Sequence, residues 1–156
     1  MSGDDPDKAQ VIALPLLIVA AALALGLLFH FLWPLRFLSR TEALWLGGLL
    51  IAVSIAIGLG AVSQLVKAKT ALDVRKPTMK IVTRGVYRLS RNPIYLSMIL
   101  LLLGIALCVD SLWILLFAIP LAVILQKGVI EPEEHYLEQK FGEKYLRYKA
   151  MVRRWI

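Results

Sequence analysis

The chain contains few of the residues on which several classes of protein depend. Its single cysteine, Cys108, allows neither an internal disulfide nor a cysteine metal cluster. Its two histidines, His30 and His135, lie far apart without spaced partners, so we expect no metal site. Only 19% of the 156 residues are charged, whereas 59% are hydrophobic. Because a soluble domain of this length could not bury so much apolar surface, the composition predicts a small integral membrane protein.

Two long apolar runs predict membrane-spanning helices. Residues 11–33 and 43–65 contain no Asp, Glu, Lys or Arg, and each run is long enough to cross a hydrocarbon core of about 30 Å as a helix. The first run is preceded by Asp4, Asp5 and Asp7, and not by the basic residues of a cleaved signal peptide. We therefore expect both runs to remain in the membrane.

A third apolar block, residues 93–126, is interrupted near its middle by Asp110. Because a carboxylate is unfavourable in hydrocarbon, we expect Asp110 to cap a tight turn at the membrane surface. The block then predicts a short helical hairpin with arms at residues 94–108 and 112–126. The predicted fold is all-α: a polytopic membrane protein that forms a single domain over residues 1–156, with about four transmembrane helices.

The distribution of positive charge predicts the orientation of the chain. The net charge is +7. Of the 18 Lys and Arg residues, eight lie in residues 66–92, seven follow Gln126 and one is Lys8. The remaining two, Arg36 and Arg40, lie between the first two helices. Because basic residues concentrate on the cytoplasmic side, both termini and the 66–92 loop are expected there. Contact with the lipid bilayer accounts for this charge, so no nucleic-acid partner is expected. A prokaryotic plasma membrane is the simplest location.

The loop before the hairpin carries the first of two informative patterns. Asn92 followed by Pro93 is typical of a helix start, where Asn caps the helix and Pro suits its first position. The amides of Ile94, Tyr95 and Leu96 would then point out of a helix N-terminus, which attracts a carboxylate or another anion. The alternative is structural: a capped helix with interfacial tyrosines, and arginines that contact lipid phosphates.

The segment after the hairpin carries the second pattern. Acidic residues come first, basic residues follow, and an apolar residue recurs every four positions from Leu137, so residues 131–156 predict a cytoplasmic amphipathic helix. Glu133 and Glu134 stand beside a membrane helix, where lipids favour basic residues. Carboxylates placed there suit a cationic ligand, and the alternative is an ordinary helix that lies on the membrane surface.

The two patterns together indicate one ligand. The first offers a helix end for a carboxylate beside tyrosines, and the second offers carboxylates for a cation, also beside tyrosines. A ligand with a carboxylate, an ammonium, a sulfonium and a flat heteroaromatic ring fits both, and S-adenosylmethionine is such a ligand. A sulfonium cation is also attracted to the faces of tyrosine rings.

The same residues resemble a known family. The first element reads Val82-Thr83-x-Gly85-x-Tyr87-x-x-x-Arg91-Asn92-Pro93-x-Tyr95. It is similar to the Gly-x-Tyr-x-x-x-Arg-His-Pro-x-Tyr element of the isoprenylcysteine carboxyl methyltransferases and of the related membrane phospholipid N-methyltransferases. The second element, after the hairpin, matches at Glu133-Glu134, Leu137, Phe141-Gly142 and Tyr145-x-x-Tyr148. Asn92 replaces the usual family histidine, and the family arginine upstream of the glutamates has no counterpart.

The resemblance implies an integral membrane methyltransferase that uses S-adenosylmethionine. The residues that it implies for cofactor binding are Met79, Lys80, Ile81, Val82, Tyr87, Asn92, Pro93, Ile94, Tyr95 and Glu134. We expect Glu134 to bind the amino group of the cofactor and Arg91 to steady the loop or a phosphate. If the methyl acceptor is an amine, Glu133 or Glu134 would take its proton.

The acceptor is expected to be apolar or embedded in the membrane. A carboxylate is favoured, because it is already ionised at neutral pH and needs no base. The sequence also allows a phospholipid amine or a small thiol as acceptor. A further alternative is a membrane anchor or assembly protein without enzymatic activity.

Overall fold

The computed structural model describes residues 14–70 and 80–156, and within these residues it contains helices and turns but no strand. The all-α prediction is therefore confirmed for the described chain. The helices are α1 (Pro15–Leu32), α2 (Arg40–Lys67), a 3₁₀ turn (Gly85–Arg88), α3 (Pro93–Cys108), α4 (Leu112–Leu125), a π turn (Gln126–Ile130), α5 (Glu131–Phe141) and α6 (Glu143–Met151).

Three of the described helical segments are long and apolar enough to cross a membrane. They are Pro15–Leu32, Arg40–Lys67 and the continuous segment Leu112–Phe141. Apolar side chains such as Phe31 and Trp45 point outward, with 79% and 78% of their surfaces exposed, as expected for lipid contact. Helix α3 is apolar but has only 16 residues, so a fourth span stays a prediction.

The predicted hairpin forms, and its turn lies at residues 109–111. Asp110 adopts a left-handed backbone conformation there, with φ of 53°. Its carboxylate accepts hydrogen bonds from the backbone N–H groups of Phe37 (3.0 Å) and Leu38 (3.1 Å). The hydroxyl of Ser111, and not Asp110, accepts from the Ile114 N–H and caps α4. Asp110 thus joins the hairpin turn to the loop between α1 and α2.

The second arm of the hairpin does not end at residue 126 as predicted. A π turn at Gln126–Ile130 connects α4 directly to α5, so the helical segment continues to Phe141. The predicted single helix over residues 131–156 is instead two helices that meet at Gly142, whose φ of 52° is accessible to glycine at little energetic cost. Helix α6 ends at Met151, and Val152 is extended.

The core lies where α1, α3 and α4 meet, and it continues into the π turn. Its most deeply buried side chains include Leu102, Ile114, Leu121, Leu125, Val129 and Ile130. Helix α2 packs against α3, and the hydroxyl of Ser54 donates to the carbonyl of Ser97 across this contact (2.7 Å). This contact places the end of α2 beside the start of α3.

Glycines set how closely α2 approaches α3. A Cβ atom on Gly47 would lie 2.5 Å from Cys108 Sγ and 2.7 Å from the Gly104 carbonyl oxygen. A Cβ on Gly104 would in turn lie 2.7 Å from Ile51 Cγ1. Small residues allow such close backbone contact between membrane helices. The neighbouring Gly48 has nothing within 4 Å of a Cβ position.

We predict that Gly47→Ala destabilises the protein by about 1–3 kcal/mol, because the new methyl group overlaps atoms of α3 that include backbone. Gly48→Ala is the matched control: its position is open, so it should leave stability unchanged or raise it by up to about 1 kcal/mol through the higher helix propensity of alanine. Thermal or denaturant unfolding of both variants in the same detergent measures the difference. Equal stability of the two variants would contradict the packing of α2 on α3 described above.

Candidate functional site

A cavity of about 400 Å³ lies where α2 ends and α3 begins. Its walls come from both ends of the described chain: the start of α1, the end of α2, the loop before α3, α3 itself, α5 and α6. The residues that line it are Leu14, Pro15, Leu16, Leu65, Thr70, Lys80, Ile81, Val82, Tyr87, Arg91, Asn92, Pro93, Ile94, Tyr95, Met98, Glu133, Glu134, Leu137, Tyr145 and Tyr148.

The structure brings the predicted site residues together around this one cavity. Every residue predicted to bind cofactor or to act in catalysis lines it, except Met79, which lies outside the described residues. Residues of α1 and of the end of α2 also line the cavity and were not predicted. Their apolar sequence resembles any membrane helix, so no local signal marks them.

Glu134 lies in the wall of the cavity with only 3% of its surface exposed. Its Oε2 accepts from Arg154 Nη2 at 3.0 Å, and its Oε1 lies 3.3 Å from Arg91 Nη1. Oε1 also accepts from Asn92 Nδ2 (3.3 Å) and from Arg154 Nε (3.4 Å). A buried carboxylate is stable only when it is paired in this way. Two guanidinium groups therefore compensate one carboxylate.

Asn92 occupies the N-cap position of α3, but its side chain does not cap the helix. The amide nitrogen instead donates to Glu134 and to the carbonyl oxygen of Arg154 (3.3 Å each). The expected cap is therefore wrong, because the buried carboxylate is the stronger acceptor for this amide. Pro93 occupies the first turn as predicted, and it has no N–H that needs a partner.

Arg91 contributes buried donors that the described protein leaves unused. Its side chain is 8% exposed, and its Nε and Nη1 atoms have no hydrogen-bond partner among the described residues, although Nη1 is ion-paired with Glu134. Buried donors without acceptors are unfavourable. The Arg91 side chain also lines the cavity, so its positive charge lies close to any ligand held there.

Glu133 has a different environment from its neighbour Glu134. Its Oε2 accepts a hydrogen bond from the Tyr95 hydroxyl at 2.7 Å. Among the described residues, no lysine or arginine forms an ion pair with it. Both glutamates line the cavity, and Glu133 is the one without a basic partner among the described residues.

Three further tyrosines form the polar side of the cavity. The Tyr148 hydroxyl donates to the backbone carbonyl of Tyr87 at 2.6 Å, which joins α6 to the 3₁₀ turn. Burial raises the pKa of Tyr148 to about 12, and burial also raises the pKa of Tyr87 and of Tyr145 above the usual range. All three rings are therefore neutral phenols at physiological pH, and they keep the electron-rich faces that attract cations.

The arrangement can hold a ligand of mixed charge. Arg91 and the N-terminus of α3 suit a carboxylate, whereas Glu133 and the tyrosines suit a cation. The apolar side chains of Leu14, Leu16 and Met98 line the same cavity and suit a hydrophobic group.

Comparison with known proteins identifies the family of the chain. The profile of the phospholipid methyltransferase family matches residues 42–144, which include most of α2 and all of α3, α4 and α5. A protein of Haemophilus influenzae, described only as uncharacterized, is 42% identical over 62 residues that cover 40% of this chain and 98% of that protein.

A second relative is Protein-S-isoprenylcysteine O-methyltransferase B of Arabidopsis thaliana. It is 35% identical over 83 residues, which cover 50% of this chain but only 40% of the plant protein. The family profile matches well over half of the chain and confirms the resemblance that the sequence motifs indicated. The chain therefore belongs to the phospholipid methyltransferase family, a family of membrane methyltransferases.

Proposed function

We propose that the chain is an integral membrane methyltransferase that uses S-adenosylmethionine and methylates an apolar, membrane-embedded acceptor. The observation that carries this proposal is the single cavity in which the residues of both sequence motifs meet. Acidic groups, phenols and unsatisfied arginine donors lie around that cavity, beside apolar side chains from α1 and α3.

The residues present fit this cofactor. The cavity volume of about 400 Å³ lies within the range of small-molecule sites. The positive charge of Arg91, which lines the cavity, and the amides at the start of α3 would favour the carboxylate of the cofactor. Glu133 and Glu134 would favour its cationic groups, and the segment Lys80–Val82 would lie beside its adenosine. When bound, the cofactor supplies an electrophilic methyl group.

The contribution of the protein is then alignment and the exclusion of water. Holding donor and acceptor in line converts a bimolecular step into a step within one complex. The apolar wall formed by Leu14, Leu16, Ile94 and Met98 would keep water away from the reacting atoms. These side chains belong to α1, α3 and the residue before α1, so we propose that the acceptor enters from the lipid between these helices.

A carboxylate is the acceptor that we favour. It is ionised at neutral pH and needs no base, which agrees with the non-titrating Asn92 at the position of the family histidine. Lys80, which lines the same cavity, supplies positive charge that would hold such a group.

A lipid amine is the second candidate, and Glu133 is the observation that favours it. An amine acceptor arrives protonated and must lose a proton before it can attack. Glu133, which is hydrogen-bonded to Tyr95 and lacks a cationic partner among the described residues, would take that proton.

We also propose that the site faces the cytoplasm, with both termini on that side of a prokaryotic plasma membrane. The basis is the concentration of basic residues in the 66–92 loop and after Gln126. S-adenosylmethionine is made in the cytoplasm, so this orientation would give the site direct access to it.

The first prediction concerns the cofactor. Detergent-solubilised protein should bind S-adenosylmethionine in calorimetry, and Glu134→Gln should weaken that binding about tenfold, because the wall of the site loses its charge-assisted hydrogen bonds. Glu143→Gln, an exposed change in the neighbouring helix, is the matched control and should bind like the unmodified protein. Normal binding by Glu134→Gln would remove Glu134 from the site. Absence of binding by the unmodified protein would favour a non-enzymatic membrane anchor.

The second prediction concerns the acceptor. Incubation of the protein with membrane extract and methyl-labelled cofactor should give a labelled apolar product that loses its label in mild base, as a methyl ester does. In that case Glu133→Gln, measured at a saturating concentration of labelled cofactor so that weaker cofactor binding is offset, should leave the transferred label within about twofold, since no proton needs to be removed. Label that is stable to base, located in a lipid amine and lost in Glu133→Gln, would instead establish the amine acceptor.

A further inference from the structure

The residues after α6 form a C-terminal strap, residues 152–156, that is attached to the site at several points. The carbonyl of Arg153 accepts from the Arg91 N–H at 3.0 Å. The carbonyl of Arg154 accepts from the Ser90 hydroxyl at 3.1 Å. The indole of Trp155 donates to Gln126 Oε1 at 3.1 Å and packs against the core. The strap therefore connects the loop before α3 with the π turn.

The Arg154 side chain contacts Glu134 from the side of the wall that faces away from the cavity. It is 28% exposed and is not among the residues that line the cavity, yet it contacts both oxygens of Glu134. Its remaining terminal nitrogen, Nη1, donates to Glu131 Oε1 at 3.0 Å. Hydrogen bonding to Glu134 raises the pKa of this guanidinium, so it keeps its charge. Arg154 thus spans two carboxylates that are one turn apart on α5.

Two arginines hold the Glu134 carboxylate. Arg91 approaches it from the side of the cavity that it lines. Arg154 holds the carboxylate from behind, with the planar fork that matches both oxygens at once. Removing the Arg154 side chain would leave the nearly buried Glu134 carboxylate with Arg91 as its guanidinium partner, and Glu134 would then compete with the ligand for Arg91.

We propose that Arg154 is a positioning residue: through Glu134 it sets the wall of the cofactor site, so the C-terminal strap is a functional part of that site. This inference rests on the proposed binding of S-adenosylmethionine. It predicts an effect of Arg154 on cofactor affinity that depends on the Glu134 carboxylate.

The test is a double-mutant cycle read by calorimetric binding of S-adenosylmethionine. Arg154→Gln should weaken binding about tenfold in the unmodified protein, because charged hydrogen bonds to Glu134 are lost. In a Glu134→Gln background the same change should weaken binding less than about twofold, since the carboxylate it positions is absent. Arg154→Lys should recover part of the loss, because it keeps the charge without the fork.

Arg153→Gln is the matched control, since its side chain is exposed and its backbone carbonyl still accepts from Arg91. It should bind cofactor like the unmodified protein. Thermal unfolding without cofactor shows that each variant is folded. Equal losses in both Glu134 backgrounds, or normal binding by Arg154→Gln, would overturn the positioning role alone. Absence of binding by the unmodified protein would overturn this inference together with the proposed function.

Discussion

The buried carboxylate of Glu134 is the constraint on which the site depends. A carboxylate removed from water costs several kcal/mol unless cations and hydrogen bonds surround it. The partners come from the loop 42 residues before it and from the strap 20 residues after it. The hydrogen bonds and ion pairs of this carboxylate therefore fix the start of α3, the first turns of α5 and the C-terminal strap relative to one another. The start of α3 and the first turns of α5 then form walls of the cavity, together with the tyrosines, the start of α1 and the end of α2.

The membrane helices place these segments where they can meet. The close contact at Gly47 and Gly104 holds α2 along α3, so that residues at the end of α2 reach the cavity. A π turn contains one more residue than an α turn. The π turn at Gln126–Ile130 therefore rotates the side chains of α5 about the helix axis. Gln126 uses its amide to donate to Glu131 and to accept from Trp155, which ties this turn to the strap.

Much of the site could be predicted because its signals are local. Acidic residues beside a membrane helix and an Asn-Pro helix start are visible in a few neighbouring residues, and both lead to the cavity. Arg154 was missed because nothing in its neighbourhood marks it: it is one of several basic residues near the C-terminus, and its partners lie 20 or more residues away. Asn92 is expected to cap α3 because Asn before Pro is typical of a helix start. Its amide instead binds the Glu134 carboxylate, which comes from α5 and is not visible in the neighbouring sequence. The helix break at Gly142 was hidden by an apolar repeat that continues across it.

Adjacent glutamates have unequal environments because of helix geometry. Successive residues on a helix point about 100° apart, so Glu134 faces two arginines whereas Glu133 faces Tyr95. Ion pairs compensate the charge of Glu134, whereas among the described residues the Glu133 carboxyl group accepts from the Tyr95 hydroxyl and has no basic partner. A cationic group brought into the cavity would gain most from Glu133 and would not have to displace an arginine. In the proposed function, Glu134 therefore fixes the wall of the site and Glu133 faces the ligand.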